Sequence, residues 1–257
     1  RPLLWWVNDG LMTVFFFMVG LEIRREIAHG ELSEWRRAAL PAAAALGGMV
    51  APALIYLAVA PAGEARSGWG VPMATDIAFA VGVLTLLGKR VPASLRVLLL
   101  ALAVIDDLGA ILVIAVFYTR HVNLAALGAV AVLLALLVLA VRVTNRRYGI
   151  YVLLAIGIWA AMLASGMHST VAGILVAMAV PVRAGVEPWR FLDAIRRRLA
   201  WLEGRKLTRD SMVRDREQME VLEEIGAATL DVLPAAFALE RYLHPVTAWF
   251  ILPVFAL

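Results

Sequence analysis

The chain has 257 residues, 62% of them hydrophobic, with a mean hydropathy of +0.83. A soluble domain of this length cannot hide that much apolar surface, whereas lipid accepts it, so the fold class is an all-α membrane protein built as a polytopic helical bundle. The net charge of +4 sits in loops between apolar runs, where membrane orientation accounts for it and nucleic acid is excluded as a partner; with no cysteine, disulfides, thiolate metal sites and cysteine nucleophiles are excluded as well.

Apolar runs of about 20 residues predict eight segments, at 3–23, 38–60, 70–88, 97–118, 124–141, 149–164, 168–183 and 242–257. The first carries Asp9 and Glu22 toward its ends. The third opens on Gly68-Trp69-Gly70-Val71-Pro72 and runs into Thr75-Asp76. Two glycines and a proline favour interruption of a regular helix near 68–79, which would leave carbonyls and amides free beside Asp76 and Thr75. The same string also fits a simple interfacial turn.

The fourth segment holds Asp106 and Asp107 at its centre. Its 14 Leu, Ile, Val and Phe residues between Val97 and Phe117 favour insertion by about 4–8 kcal/mol in total, and two central Asp residues cost about 5–7 kcal/mol. Carboxylates at that cost are functional candidates, with helix-to-helix hydrogen bonding as the bland reading. Neighbours on a helix point about 100° apart, so the two carboxylates face different partners. Their charges repel in a low-dielectric cavity, which suits a proton carrier, and the same oxygens are hard ligands for a hard cation.

The sixth and seventh segments are short, and Ser165-Gly166-Met167-His168 joins them as a tight helical hairpin. From 184 to 241 the composition turns to mixed charge, so this stretch lies in water; Met212, Met219, Leu222 and Ile225 suggest an amphipathic helix packed on its surface. The expected organisation is a seven-helix membrane bundle over 1–183, a charged loop over 184–241, and the start of another membrane helix over 242–257. Short loops on one side carry ten Lys and Arg against three on the other, so the long loop is expected to be cytoplasmic.

Trp6-Val7-Asn8-Asp9-Gly10-Leu11-Met12, Val19-Gly20-Leu21-Glu22, Ala74-Thr75-Asp76-Ile77-Ala78-Phe79-Ala80, Ile105-Asp106-Asp107-Leu108-Gly109-Ala110 and Ser165-Gly166-Met167-His168-Ser169-Thr170-Val171-Ala172-Gly173 together resemble the NhaA sodium/proton antiporter family, in order and at matching spacing. The resemblance implies inverted repeats with broken helices, and secondary antiport in which entering protons drive sodium or lithium out across the bacterial inner membrane, serving sodium and pH homeostasis. It implies no cofactor beyond the transported ions. Asp107 would be the principal cation ligand and Asp106 its proton-linked neighbour, with Thr75 completing the metal-binding set and Asp76 beside it at the helix crossing. Glu22, Arg25, Glu26, His168, Glu240 and His244 match positions of the family's pH response. Membrane lipid and a second copy of the chain are further expected partners.

In this chain Glu240 is followed by Arg241 where the family commonly has His, and the 184–241 loop is long. The resemblance covers the N-terminal two thirds or so of the family's length. It therefore implies a truncated transporter, unable to exchange ions alone, with a preceding helix, the partner lysine of Asp106 and the second broken helix lying outside these 257 residues. Other cation/proton transporters and a cation channel are the neighbouring readings, although a channel needs a continuous polar pore and the polar centre is confined to two segments. An intramembrane aspartyl protease also uses two aspartates, but its Gly-x-Gly-Asp and Tyr-Asp signatures are absent, and the expectation is that the chain is not an enzyme.

Overall fold

The computed structural model describes residues 2–75, 77–119, 122–143, 148–182, 187–205 and 215–256. Every regular element among them is a helix, as the composition requires when backbone polar groups must be satisfied without water. Two compact units form, residues 1–180 with 243–257, and residues 181–242.

In the first unit, α1 (Leu3–His29) begins with a π-helical turn at Trp6–Leu11 and ends at Gly30. It is followed by α2 (Trp35–Val59), a 3-10 segment (Glu64–Met73), α3 (Ile77–Leu87), α4 (Ala93–Phe117), α5 (Leu124–Val143), α6 (Tyr148–Ser165) and α7 (Thr170–Ala179). By length and apolar composition α1, α2, α4 and α5 can each cross a membrane, while α6 and α7 are apolar but shorter. Some helices outrun their apolar windows, whereas α3 and α7 fall short of theirs. Thus α1 continues through Glu22, Arg25 and Glu26 to His29, because backbone hydrogen bonding stops at a cap and not at the edge of an apolar run.

Packing is closest where side chains are smallest. A Cβ on Gly20 of α1 would lie 2.7 Å from Ala177 Cβ of α7, and one on Gly173 of α7 would overlap the Thr13 carbonyl and stand 2.9 Å from Phe17 N of α1. Lipid offers little drive for burying apolar faces against one another, so close backbone approach and dispersion hold such a pair. Val19 and Ile23 of α1 join Val104 and Ile111 of α4 in one buried cluster. Val130, Leu137, Ile158, Met162 and Ala172 close α5, α6 and α7 around a second. Large apolar side chains such as Ile55, Leu112 and Leu153 remain exposed on the outer faces, as helices solvated by lipid require.

The third predicted segment is broken. The 3-10 run ends at Met73, Ala74 is extended, Thr75 is irregular, and α3 begins at Ile77. Tyr118 at the end of α4 donates to the Ser67 carbonyl at 2.7 Å and accepts from Gly70 N at 3.1 Å, while Tyr56 of α2 donates to the Ala65 carbonyl at 2.7 Å. Cβ atoms on Gly68 and Gly70 would each stand 2.9 Å from one of these hydroxyls. The glycines therefore admit the tyrosine clamps, and the 3-10 segment is fixed to α2 and α4. Met73 is buried with Ala45, Met49 and Ala53, placing the break against the middle of α2.

The second unit holds α8 (Pro188–Glu203) and α9 (Arg216–Val232). Asp215 caps α9 by accepting from Glu217 N and Gln218 N. Arg198 bonds Glu224 at 2.7 Å, and Arg205 bonds Glu217 at 2.8 Å while lying 4.0 Å over the Trp201 ring. The amphipathic helix expected in the later half of this stretch is α9, on which Met219, Leu222 and Ile225 lie; Met212 is outside the described residues. Helix α8 was not expected. Finally α10 (Ala235–Val246) leads through a second π-helical turn, Thr247–Ile251, into α11 (Leu252–Ala256). Pro253 follows that turn and has no N–H to donate to the ladder.

Candidate functional site

The break and α4 meet at one hydrogen bond. Thr75 Oγ1 donates to Asp106 Oδ2 at 3.1 Å, joining residues 31 apart in the chain. Because Ala74 and Thr75 leave helical geometry, the threonine hydroxyl is not occupied in bonding back to its own preceding turn. Asp106 is 2% exposed, and its second carboxylate oxygen, Oδ1, meets no donor among the described residues. Asp107, half-buried, is the next residue of α4. Gly109, two residues on, lies against Met49 of α2, where a Cβ would overlap the sulfur. Close packing of α4 on α2 therefore reaches to within two residues of Asp107.

The structure brings Thr75 and Asp106 together, with Asp107 adjacent. Asp76 lies outside the described residues. No three His, Asp or Glu side chains converge as a metal cluster among the described residues; the oxygens brought together are the Thr75 hydroxyl and the Asp106 carboxylate. Such a ligand set suits a hard cation that must also leave.

The other predicted positions lie apart from this pair in sequence and in element. Glu22 and Arg25 are one turn apart near the end of α1, 4.0 Å from carboxylate to guanidinium, and the Glu26 carboxyl lies against Gly30. His168 is exposed in the α6–α7 turn, where Gly166 takes φ +80°, a left-handed conformation that favours glycine. Glu240 and His244 stand one turn apart on α10.

A second polar node was not read from the sequence. The Asp9 carbonyl, in the π-helical turn of α1, accepts from Thr13 Oγ1 at 2.7 Å, Trp159 Nε1 at 2.8 Å and Ser169 Oγ at 3.2 Å. Asp9 Oδ1 also accepts from Ser169 Oγ at 2.7 Å. The wider turn alters the regular bonding of the helix, and the carbonyl becomes a hub for α6 and the start of α7. An acidic residue within an apolar segment was the available signal; a backbone acceptor has no signature of its own.

Comparison with known proteins bears on the whole chain. The family described as Na+/H+ antiporter 1 matches residues 1–257. The chain is 52% identical, over all of its length and 54% of the relative's, to a Sorangium cellulosum protein named Na(+)/H(+) antiporter NhaA 2. It is 50% identical to a Myxococcus xanthus protein of the same name, again over 100% of this chain and 54% of the relative. It is 48% identical to an Oleidesulfovibrio alaskensis protein named Na(+)/H(+) antiporter NhaA, covering 57% of that protein. The chain therefore spans about half the length of the curated relatives it matches. With a family match from end to end and apolar helices able to cross a bilayer, the chain is a multi-pass membrane protein that belongs to the Na+/H+ antiporter 1 family.

Proposed function

We propose that this chain carries the ion-exchange centre of a secondary sodium/proton antiporter, at Asp106, Asp107 and the helix break around Thr75 and Asp76. The observation that carries the reading is the Thr75–Asp106 hydrogen bond, which ties an interrupted helix to a buried carboxylate within an apolar helix. In a low-dielectric surround a bare carboxylate is costly, and either a proton or a cation relieves that cost. Mutually exclusive occupation of one site is the requirement for exchange: the cation leaves to one side of the membrane as the proton takes its place, and the order reverses on the other. The names of the relatives support sodium as the cation; lithium, the same charge on a smaller ion, fits the same hard oxygen ligands.

Asp107 is the principal cation ligand and Asp106 carries the linked proton. Residues 1–183 form the membrane bundle, 184–241 a cytoplasmic loop and 242–257 part of a further membrane helix, in the bacterial inner membrane. Glu22, Arg25, Glu26, His168, Glu240 and His244 tune the response to pH. The transported ions are the sole small-molecule partners, no cofactor is used, lipid surrounds the bundle and two copies pair as a homodimer.

The test is cation-induced proton flux in proteoliposomes of the full-length protein. Asp107→Asn removes a charged ligand and a competing proton site together, so sodium-dependent proton release should be lost. Asp106→Asn should be milder, because the cation ligands on Asp107 remain. Normal sodium exchange by Asp107→Asn would refute the assignment.

A further inference from the structure

Tyr118, the residue that closes α4, holds the 3-10 segment by a single turn. Its hydroxyl donates to the Ser67 carbonyl at 2.7 Å and accepts from Gly70 N at 3.1 Å. Those two backbone groups stand three residues apart, the pair that a 3-10 turn joins directly, so one hydroxyl grips both ends of the same turn. Gly70 makes room for it, since a Cβ there would stand 2.9 Å from that oxygen. Trp69, inside the turn, packs edge-on against Phe117 with ring centroids 5.2 Å apart.

The same stretch meets α4 a second time, where Thr75 donates to Asp106. Both anchors are therefore on one helix. From Asp106 to Tyr118 is twelve residues, about 18 Å along the axis. From Gly70 to Thr75 is five residues, which reach at most about 18 Å when fully extended. They reach less here, because the chain stays 3-10 as far as Met73, at about 2.0 Å per residue. The side chains at the two anchors make up the difference, and little slack remains. Met73, buried with Ala45, Met49 and Ala53 of α2, keeps the stretch from bowing away.

We propose that Tyr118 is a positioning residue for the ion site: by gripping the Ser67–Gly70 turn it fixes how far along α4 the broken helix reaches, and so brings the Thr75 hydroxyl to Asp106. The inference rests on the ion-exchange reading of Thr75 and Asp106. Tyr118 itself stands about three turns from the carboxylates and acts through Thr75. Without its hydroxyl the ring remains but the turn is free to slide. Thr75 then meets Asp106 for a smaller fraction of the time, and apparent cation affinity falls by that fraction.

The test is sodium-dependent proton release in proteoliposomes of the full-length protein, paired with hydrogen exchange of its backbone amides over 67–75. Tyr118→Phe should raise the half-maximal sodium concentration about fivefold, the worth of one hydrogen bond, while the rate at saturating sodium moves less. Gly70→Ala crowds the hydroxyl off the turn by a different route and should share the shift. Thr75→Val/Tyr118→Phe should bind sodium no more weakly than Thr75→Val alone, since a residue that acts through Thr75 then has nothing to position. Tyr56→Phe removes a bond of the same kind from the Ala65 carbonyl, at the far end of the segment, and controls for general loosening. Amides from Gly70 to Thr75 should exchange faster in Tyr118→Phe, a change that needs no transport. Unaltered amide exchange or unchanged sodium dependence in Tyr118→Phe and Gly70→Ala would overturn the proposal. So would additive losses in the double variant, or a shift in Tyr56→Phe equal to that in Tyr118→Phe. Asp107→Asn judges the ion-exchange reading separately: if exchange is lost there while Tyr118→Phe keeps its sodium dependence, the site stands and the positioning role of Tyr118 falls.

Discussion

At Asp106 the two carboxylate oxygens have different surroundings: Oδ2 accepts from Thr75, and Oδ1 is buried without a donor among the described residues. An unsatisfied buried polar atom costs about 1–3 kcal/mol, and more when it is charged. Thr75→Val keeps the side chain's shape but would leave both oxygens without that donor. The expected outcome is a fall of about tenfold in apparent sodium affinity, the equivalent of about 1.4 kcal/mol, with Thr75→Ser close to wild type. Sodium-dependence curves for proton release in proteoliposomes would check it, and equal curves for Val and Ser would remove the hydroxyl from the site. Glu240 and His244, one turn apart on α10, are expected to act otherwise. Neutralising either should shift the pH profile of exchange while sodium binding by calorimetry persists, since these charges lie outside the proposed ligand set. Thr75, Asp106 and Asp107 were legible as residues because polar groups in apolar runs are conspicuous. The bond between Thr75 and Asp106 was not, since pairing 31 residues apart depends on how the broken helix meets α4.

Among the elements, the crossing of α1 and α7 is the one where a single atom matters most. A Cβ on Gly173 would run into the Thr13 carbonyl and Phe17 amide of α1, so any side chain there must push backbone, which cannot swing aside as a long side chain can. Gly173→Val is therefore expected to cost about 1–3 kcal/mol or more as overpacking. It should also stretch the bonds from Ser169 and Trp159 to Asp9 that lie beside the same crossing. Thermal unfolding in detergent should show a lower transition for Gly173→Val, with Gly128→Ala, where a Cβ meets nothing within 4 Å, as the unaffected control. An unchanged transition for Gly173→Val would disprove this packing role. Hydropathy made the apolar helices readable but misplaced their ends, too short for α1 and too long for α7. The interruption before Asp76 was visible in Pro72 and its glycines, although their fit to Tyr56 and Tyr118 was not. Helix α8 escaped the sequence reading because four arginines and two acidic residues interrupt its apolar positions, and a solvated loop can have the same composition until the side chains are laid out on a helix.

For the whole molecule, class follows from composition and sidedness from the placement of charge. A surface bearing Leu46, Ile55, Leu112 and Leu153 outward is stable only where the solvent is itself apolar. Within a bilayer the remaining question is which ends face the cytoplasm. Lys89-Arg90, Arg24-Arg25 and Arg36-Arg37 cluster at alternate segment ends, whereas the intervening ends carry few basic residues. Positive charge is retained on the cytoplasmic side during insertion, and the short loops weigh most in that choice. Glu64 begins the 3-10 segment that follows α2, and Lys89 lies between α3 and α4. The two sites are thus expected on opposite sides. In the full-length protein, expressed in cells, Glu64→Cys should react with a membrane-impermeant maleimide added outside. Lys89→Cys should react only after the cytoplasmic face is opened, and the cysteine-free background leaves no other thiol to confuse the result. Labelling of position 64 from the cytoplasmic side alone would invert the topology. The loop at 184–241 would then lie outside the cell, where its cluster at Arg196-Arg197-Arg198 would contradict the charge rule that orients the rest of the chain.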